Sequence, residues 1–234
     1  MDRNNLLIAY TLLISLAFFP ATTEACPSNG SHLVPKGRAE AGIEYNIMYR
    51  RDIERSYGEL RTQDLFYTVS LGIFDWLALD GKIGIGDIRH RNSPVLPDLE
   101  YRTAFAGGYG FRAELFRHRP SGIRIIGGAQ HISVHPQDTT NGNNKYESFL
   151  DDWQVSALVV KDLRYASLYA GGKLSDCEIV YKTNKHDKKR RFSEDHVGFI
   201  GGMDICLPGD RLRLNAELRL FDETAFSTGI SYSF

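Results

Sequence analysis

The chain has 234 residues, a length that suits a single all-β domain of barrel size. Its 28 basic residues are balanced by 29 acidic ones, which removes any electrostatic case for nucleic acid as a partner. The 22 glycines and 12 tyrosines suit a protein of strands and turns.

The N-terminus reads as an export signal over residues 1–25. Arg3 supplies a small positive region, Leu6 to Phe19 is apolar or hydroxylic, and Pro20 breaks the run. Thr23-Glu24-Ala25 then offers a small-x-small cleavage site. A spanning helix needs about 20 apolar residues, so the segment is expected to be removed. No later stretch approaches such a helix, so any membrane embedding must be as a barrel. Cys26 directly follows the cleavage point, where lipoproteins carry a lipidated cysteine, but Thr23 stands where their signals have leucine or a similar residue. An ordinary mature N-terminus is therefore favoured. With Cys177 and Cys206 the cysteine count is odd, so pairing cannot be complete.

After a polar segment containing Pro27 and Pro35, strict alternation begins, with successive side chains assigned to opposite faces. The first predicted strand, near 39–50, carries Ile43, Tyr45, Ile47 and Tyr49 opposite Glu40, Glu44 and Asn46. The second, near 63–74, carries Leu65, Tyr67, Val69, Leu71 and Ile73; the third, near 77–87, Leu79, Ile83 and Ile85. The fourth, near 101–116, sets Tyr101, Phe105, Tyr109, Phe111 and Leu115 against Arg102, Ala104, Ala106, Gly108, Gly110, Arg112 and Glu114. In the fifth, near 123–132, Ile126 and Ile132 interrupt the alternation, although Arg124 and Gln130 mark a polar face. Trp153, Val155, Ala157 and Val159 define the sixth. Ala166, Leu168, Ala170 and Leu174 give the seventh, in uncertain phase, and Val197, Phe199, Met203 and Ile205 the eighth. RLRLNAELRL at 211–220 and the run from Ala225 to Phe234 close the chain as a hairpin.

The connections alternate in length. Long ones are expected over 51–62, 88–100, 133–151 and 177–195, and short ones at 74–76, 118–122, 161–164 and 207–210. A soluble sandwich has no reason to segregate loop length by end, whereas membrane barrels have short turns at one end and longer loops at the other. The small residues on the polar face suit a narrow interior shared by side chains from opposite walls. Tyr49, Trp76, Tyr101, Trp153, Tyr232 and Phe234 stand near strand ends, as an aromatic girdle does.

The exported N-terminus, the alternating segments and the closing Ile230-x-Tyr232-x-Phe234 resemble a Gram-negative outer-membrane β-barrel protein. The resemblance implies a transmembrane antiparallel up-and-down β-barrel of about ten strands. It divides the chain into a signal peptide (1–25), a short periplasmic segment (26–36) and the barrel (37–234). It also implies a place in the bacterial outer membrane, with the bilayer and its lipopolysaccharide as surroundings. The barrel-assembly machinery would read Ile230, Tyr232 and Phe234 as an address. A soluble periplasmic ligand-binding β-barrel is the alternative.

On the face assigned to the lumen stand Glu40, Glu44, Asp64, Asp80, Glu114, Asp152, Asp204 and Glu217. Lys82, Arg102, Arg112, Arg124, Lys173, Arg211, Arg213 and Arg219 stand opposite them. Buried charges must be paired, so a salt-bridged, largely closed interior is expected, with a narrow pore as the next reading and Arg211, Arg213 and Arg219 as its constriction. Asp151, Asp152, Glu194, Asp195 and His196 evoke an omptin-like surface hydrolase, whose spacing they do not reproduce. His131 and His135 lie on a separate predicted loop without metal spacing. No phosphate loop, nucleophile elbow or zinc motif occurs, so neither cofactor, metal nor enzymatic activity is expected. The run from Lys182 to Arg191 is the strongest charge cluster; it reads as a solvated loop and, less strongly, as a site for an extracellular polyanion. A bond between Cys26 and Cys206 would tether the N-terminal segment under the barrel.

Overall fold

The computed structural model describes residues 30–184, 187–207, 209 and 211–234. The proposed signal peptide and Cys26 lie outside these residues, as do Lys185 and His186. The strands are β1 (Ala39–Ile53), β2 (Gly58–Phe74), β3 (Leu77–Arg91), β4 (Leu99–His118), β5 (Ile123–Gln137), β6 (Thr139–Asn141), β7 (Asn144–Asp162), β8 (Ala166–Thr183), β9 (Asp187–Phe192), β10 (Val197–Cys206), β11 (Leu212–Leu220) and β12 (Thr224–Ser233). Each strand pairs antiparallel with its neighbours, and β12 returns to β1, with Glu40 opposite Ser233 and Ile43 opposite Ile230. Ten strands close the wall, while β6 and β9 are short strands added to the far ends of β7 and β8.

Side-chain alternation sorts the wall into two faces. Leu65, Tyr67, Val69, Leu71 and Ile73 on β2 face outward and are exposed, as are Leu79, Ile83 and Ile85 on β3 and Val155 and Val159 on β7. Inward stand Asp64, Thr68, Ser70, Arg112, Gln154, Ser156, Lys173 and Glu217, all buried. An apolar exterior around a polar interior is the arrangement a bilayer selects, because lipid offers no partner to a polar side chain.

The wall is uneven. β10, β11 and β12 have 10, 9 and 10 residues, about the length that crosses a bilayer, whereas β4, β7 and β8 have 20, 19 and 18. The excess length makes a rigid extension at the end opposite the termini. There the faces exchange roles. Ile53, Leu60, Ile88, Leu99, Tyr101, Leu150, Cys177, Ile179 and Tyr181 form an apolar core inside. Arg50, Arg61, Arg89 and Arg91 point outward, each in an ion pair with a neighbouring carboxylate. β9 closes this storey over the short wall. Ile53 bridges Ser193, Glu54 N donates to Phe192 O at 3.0 Å, and Glu194 N donates to Asp52 O at 2.9 Å.

Most of the expected long loops are therefore strand. Period two continues through 51–53, 58–62, 88–91 and 177–183, but, Arg51 apart, with apolar residues such as Ile53, Leu60, Ile88 and Ile179 inside and charged ones such as Arg61, Arg89 and Arg91 outside. The true turns at that end are short, such as 54–57 and 221–223. Tyr101 is a second correction: it is buried in the apolar core instead of facing lipid. The β4–β5 register slips between Arg102 and Phe105, and such a bulge exchanges the faces beyond it. Ile126 and Ile132 do not break the alternation of β5; they are apolar residues on its inward face. The phase of β8 is resolved with Leu168 and Leu174 exposed and Tyr169 and Lys173 buried.

Candidate functional site

The lumen is filled at three levels. At the end where the termini meet, the segment from Gly30 to Val34 lies inside the barrel, and Pro35 and Lys36 emerge at its mouth. Arg112 Nη1 donates to His32 O at 2.6 Å and Gly30 O at 3.2 Å, and Arg124 Nη1 donates to Ser31 O at 3.0 Å. Ser31 N donates to Asp204 at 2.7 Å, His32 faces Glu40 at 3.3 Å, and Leu33 and Val34 are buried. The remaining nitrogens of both arginines are spent on the wall. Arg112 grips Asp80 at 2.8 and 2.7 Å, and Arg124 grips Asp162 at 2.7 Å through each of two nitrogens. Gly72 permits the close approach: a Cβ there would stand 2.0 Å from Pro35 O.

The middle level is a charge network. Arg51 meets Asp152 at 2.6 Å, Glu223 at 3.1 Å and Asp222 at 3.2 Å. Lys173 meets Asp222 at 2.9 Å and also pairs with Glu223. Arg219 binds Glu223 at 2.7 Å and Glu217 at 3.1 Å, with Asn46 on its far nitrogen. Lys82 sits 3.3 Å from Glu44. Between Asn46, Arg51, Asp64, Asp152 and Arg219 a cavity of about 30 Å³ remains, room for about one water. Above this network lies the apolar core of the extension. Outside, where the wall steps down to β11 and β12, an open cleft of about 430 Å³ is lined by Arg50, Asp52, Phe221 and Thr224.

Of the residues assigned to the lumen from the sequence, Glu40, Glu44, Arg112, Arg124, Lys173, Glu217 and Arg219 are buried within it. Arg213 stands at its mouth, 3.9 Å from Glu40. Glu114 stands near the same end, 2.6 Å from Arg117 and 3.7 Å from Arg124. Arg102 and Arg211 are exposed. The bulge of β4 turns Arg102 outward, and Arg211 precedes β11 and donates to the Tyr232 hydroxyl at 3.1 Å. Sequence reasoning missed Arg51, Asp222 and Glu223. A slip in β1 pairing between Met48 and Arg50 turns Arg51 inward, and the two acids occupy a turn whose fold-back cannot be seen in alternation.

Other singled-out residues are dispersed. Asp152 belongs to the lumen network, whereas Asp151 is on the outward face. Glu194, Asp195 and His196 are exposed, with His196 Nδ1 3.1 Å from Ser175 O. The basic run forms the β8–β9 hairpin instead of a loop, and much of its charge is engaged. Lys182 is 3.6 Å from Glu147, Arg190 is 3.2 Å from Glu178, and Arg191 stacks 4.1 Å above the Tyr57 ring. Phe234 N donates to Ala39 O at 2.9 Å, and its ring meets Tyr232 edge-on at 5.5 Å.

No protein-family model matches the chain, and no curated protein matches it in sequence. Solved structures resemble it in fold. The attachment invasion locus protein Ail of Yersinia pestis, in complex with the heparin analogue sucrose octasulfate, is 12% identical, covers 85% of this chain and 99% of its own, and has a TM-score of 0.43. The outer membrane protease OmpT from Escherichia coli is 7% identical over 89% of this chain and 100% of that one, with a TM-score of 0.43. The translocator domain of the autotransporter NalP from Neisseria meningitidis is 8% identical over 99% and 95%, also at 0.43. The closed antiparallel wall, the apolar outer belt and the polar lumen of this chain are those of a membrane-spanning β-barrel.

Proposed function

We propose that the protein is a closed outer-membrane barrel that works through its outer surface, as a structural or surface-interaction protein, and not through its lumen. The observation that carries this is the filling of the interior: the Gly30–Val34 segment at one end, the Arg51–Lys173–Arg219 network in the middle and the apolar core beyond it. With the termini periplasmic, the extension of β1–β9 stands outside the cell and carries the charged exterior and rim. Lys188 and Lys189, exposed on β9, leave an edge of positive charge for an extracellular polyanion. The test is single-channel recording of the refolded mature chain in planar bilayers. Silence from a folded protein is expected, and stable salt-dependent steps would replace this reading with a narrow pore.

A further inference from the structure

The outward face of β5 carries an arrangement that neither the lumen nor the rim accounts for. Along that face Ile123 and Ala129 belong to the apolar belt, and His131, Ser133 and His135 follow. The change falls at one level on neighbouring strands: His131 is opposite Trp153, and Trp153 is opposite Asp176, while the next row down is Ala129, Val155 and Leu174. This is the upper edge of the hydrocarbon zone, the depth at which the acyl esters of membrane lipids lie.

At that edge, the Ser133 hydroxyl donates to Asp151 Oδ1 at 2.6 Å, and its oxygen stands 2.7 Å from His135 Nε2. His131 Nε2 lies 3.4 Å from the same carboxylate oxygen. Aromatic rings hold both imidazoles: His135 stacks on Phe149 at 5.6 Å, and His131 packs between Trp153 at 4.5 Å and Tyr109 at 5.3 Å. The imidazoles and carboxylate do not converge as a set of metal ligands. A hydroxyl within reach of an oriented imidazole and a carboxylate is the arrangement that activates a nucleophile.

We propose that Ser133, His135 and Asp151 form an ester-hydrolysing site on the lipid-facing wall, acting on an O-acyl ester of a membrane lipid. The hydroxyl proton turns from Asp151 to His135 Nε2. Ser133 Oγ attacks the ester carbonyl carbon as its proton passes to His135. The tetrahedral intermediate collapses, the bond from carbonyl carbon to alcohol oxygen breaks, and His135 protonates the departing alcohol. Water, deprotonated by His135, then attacks the acyl-serine, releasing the fatty acid and restoring Ser133. Asp151 holds the hydroxyl before reaction and, with His131, is a positioning element. The exposed rings of Phe105, Tyr109 and Trp153 give the acyl chain an apolar bed beside the nucleophile.

The test uses the refolded chain with two readouts. A fluorophosphonate probe reports an activated serine, located by peptide mass spectrometry. Fatty-acid release is followed from phosphatidylethanolamine vesicles and from lipopolysaccharide, so that the arms distinguish a phospholipid ester from one on lipid A. Labelling at Ser133 and release from either lipid are expected. Ser133→Ala is expected to abolish both, and His135→Asn to lower both by roughly 100-fold or more, with heat-modified gel mobility confirming folding. Folded wild-type protein that neither labels nor releases fatty acid overturns the proposal, and so does release that survives Ser133→Ala. Neither outcome bears on conductance, so the closed-lumen reading stands or falls separately.

Discussion

Arg51 on β1 reaches across the lumen to Asp152 on β7, with 2.6 Å between Nη1 and Oδ2 and both side chains closed to solvent. Their strands are not neighbours in the wall, so the pair braces the barrel from within. Replacing Arg51 with leucine leaves Asp152 without its cation and is expected to cost about 3–5 kcal/mol. The double variant Arg51→Leu/Asp152→Leu is expected to lose less than the single one, because the stranded charge is also gone. Urea unfolding of the folded barrel in detergent measures both.

Gly72 and Gly81 make a matched pair for the N-terminal segment. A methyl group on Gly72 would stand 2.0 Å from Pro35 O and 2.4 Å from Val34 O, so Gly72→Ala is expected to displace the segment at a cost of about 1–3 kcal/mol. Gly81 has nothing within 4 Å, and its alanine variant is expected to be neutral or slightly stabilising. Thermal denaturation of the two variants beside the parent protein reports the cost.

The outer belt gives a depth-dependent expectation. Tyr67 is 64% exposed at the centre of the outward face of β2, whereas Arg61 lies on the same face beyond the belt. Tyr67→Arg is expected to cost about 2–4 kcal/mol of folding free energy in lipid vesicles, and Gln63→Arg, near the boundary, about 0–1 kcal/mol. Equal effects at the two positions would mean that the bilayer does not lie where the apolar belt places it.

Phe234 separates an address from a contact. Its backbone N bonds to Ala39 O whatever the side chain, and its ring meets Tyr232 at the barrel's edge. Phe234→Ala is expected to change unfolding in detergent by under about 1 kcal/mol, while lowering the amount assembled in the outer membrane of living cells several-fold. A variant that assembles normally removes the address reading.

Alternation made the membrane-spanning wall legible because lipid imposes one rule on every strand: apolar out, small or polar in. The same rule hid the extension. Ile53, Leu60, Ile88 and Ile179 keep period two, but their phase relative to the charged residues is that of a water-soluble barrel, so they read as loop. Bulges supplied the other misses. One slip at Arg102–Phe105 sent Tyr101 in and Arg102 out, and another brought Arg51 into the central network. Side-chain partners such as Arg112 with the carbonyls of Gly30 and His32 depend on closure of the whole ring and leave no trace in local pattern. The Ser133–Asp151 contact joins two strands whose pairing aligns these residues directly, yet both fell in a stretch read as loop.

The uninterrupted run of β2, β4, β7 and β8 from bilayer to rim has a mechanical consequence. Flexible loops would let a bound ligand pull on the surface without disturbing the spanning wall. Here the rim is the far end of the same hydrogen-bonded staves that hold the bilayer, clasped over the short side by β9. A load at the top is carried as shear along the ladders into the lumen braces, so anything that grips the exposed end takes hold of the whole cask.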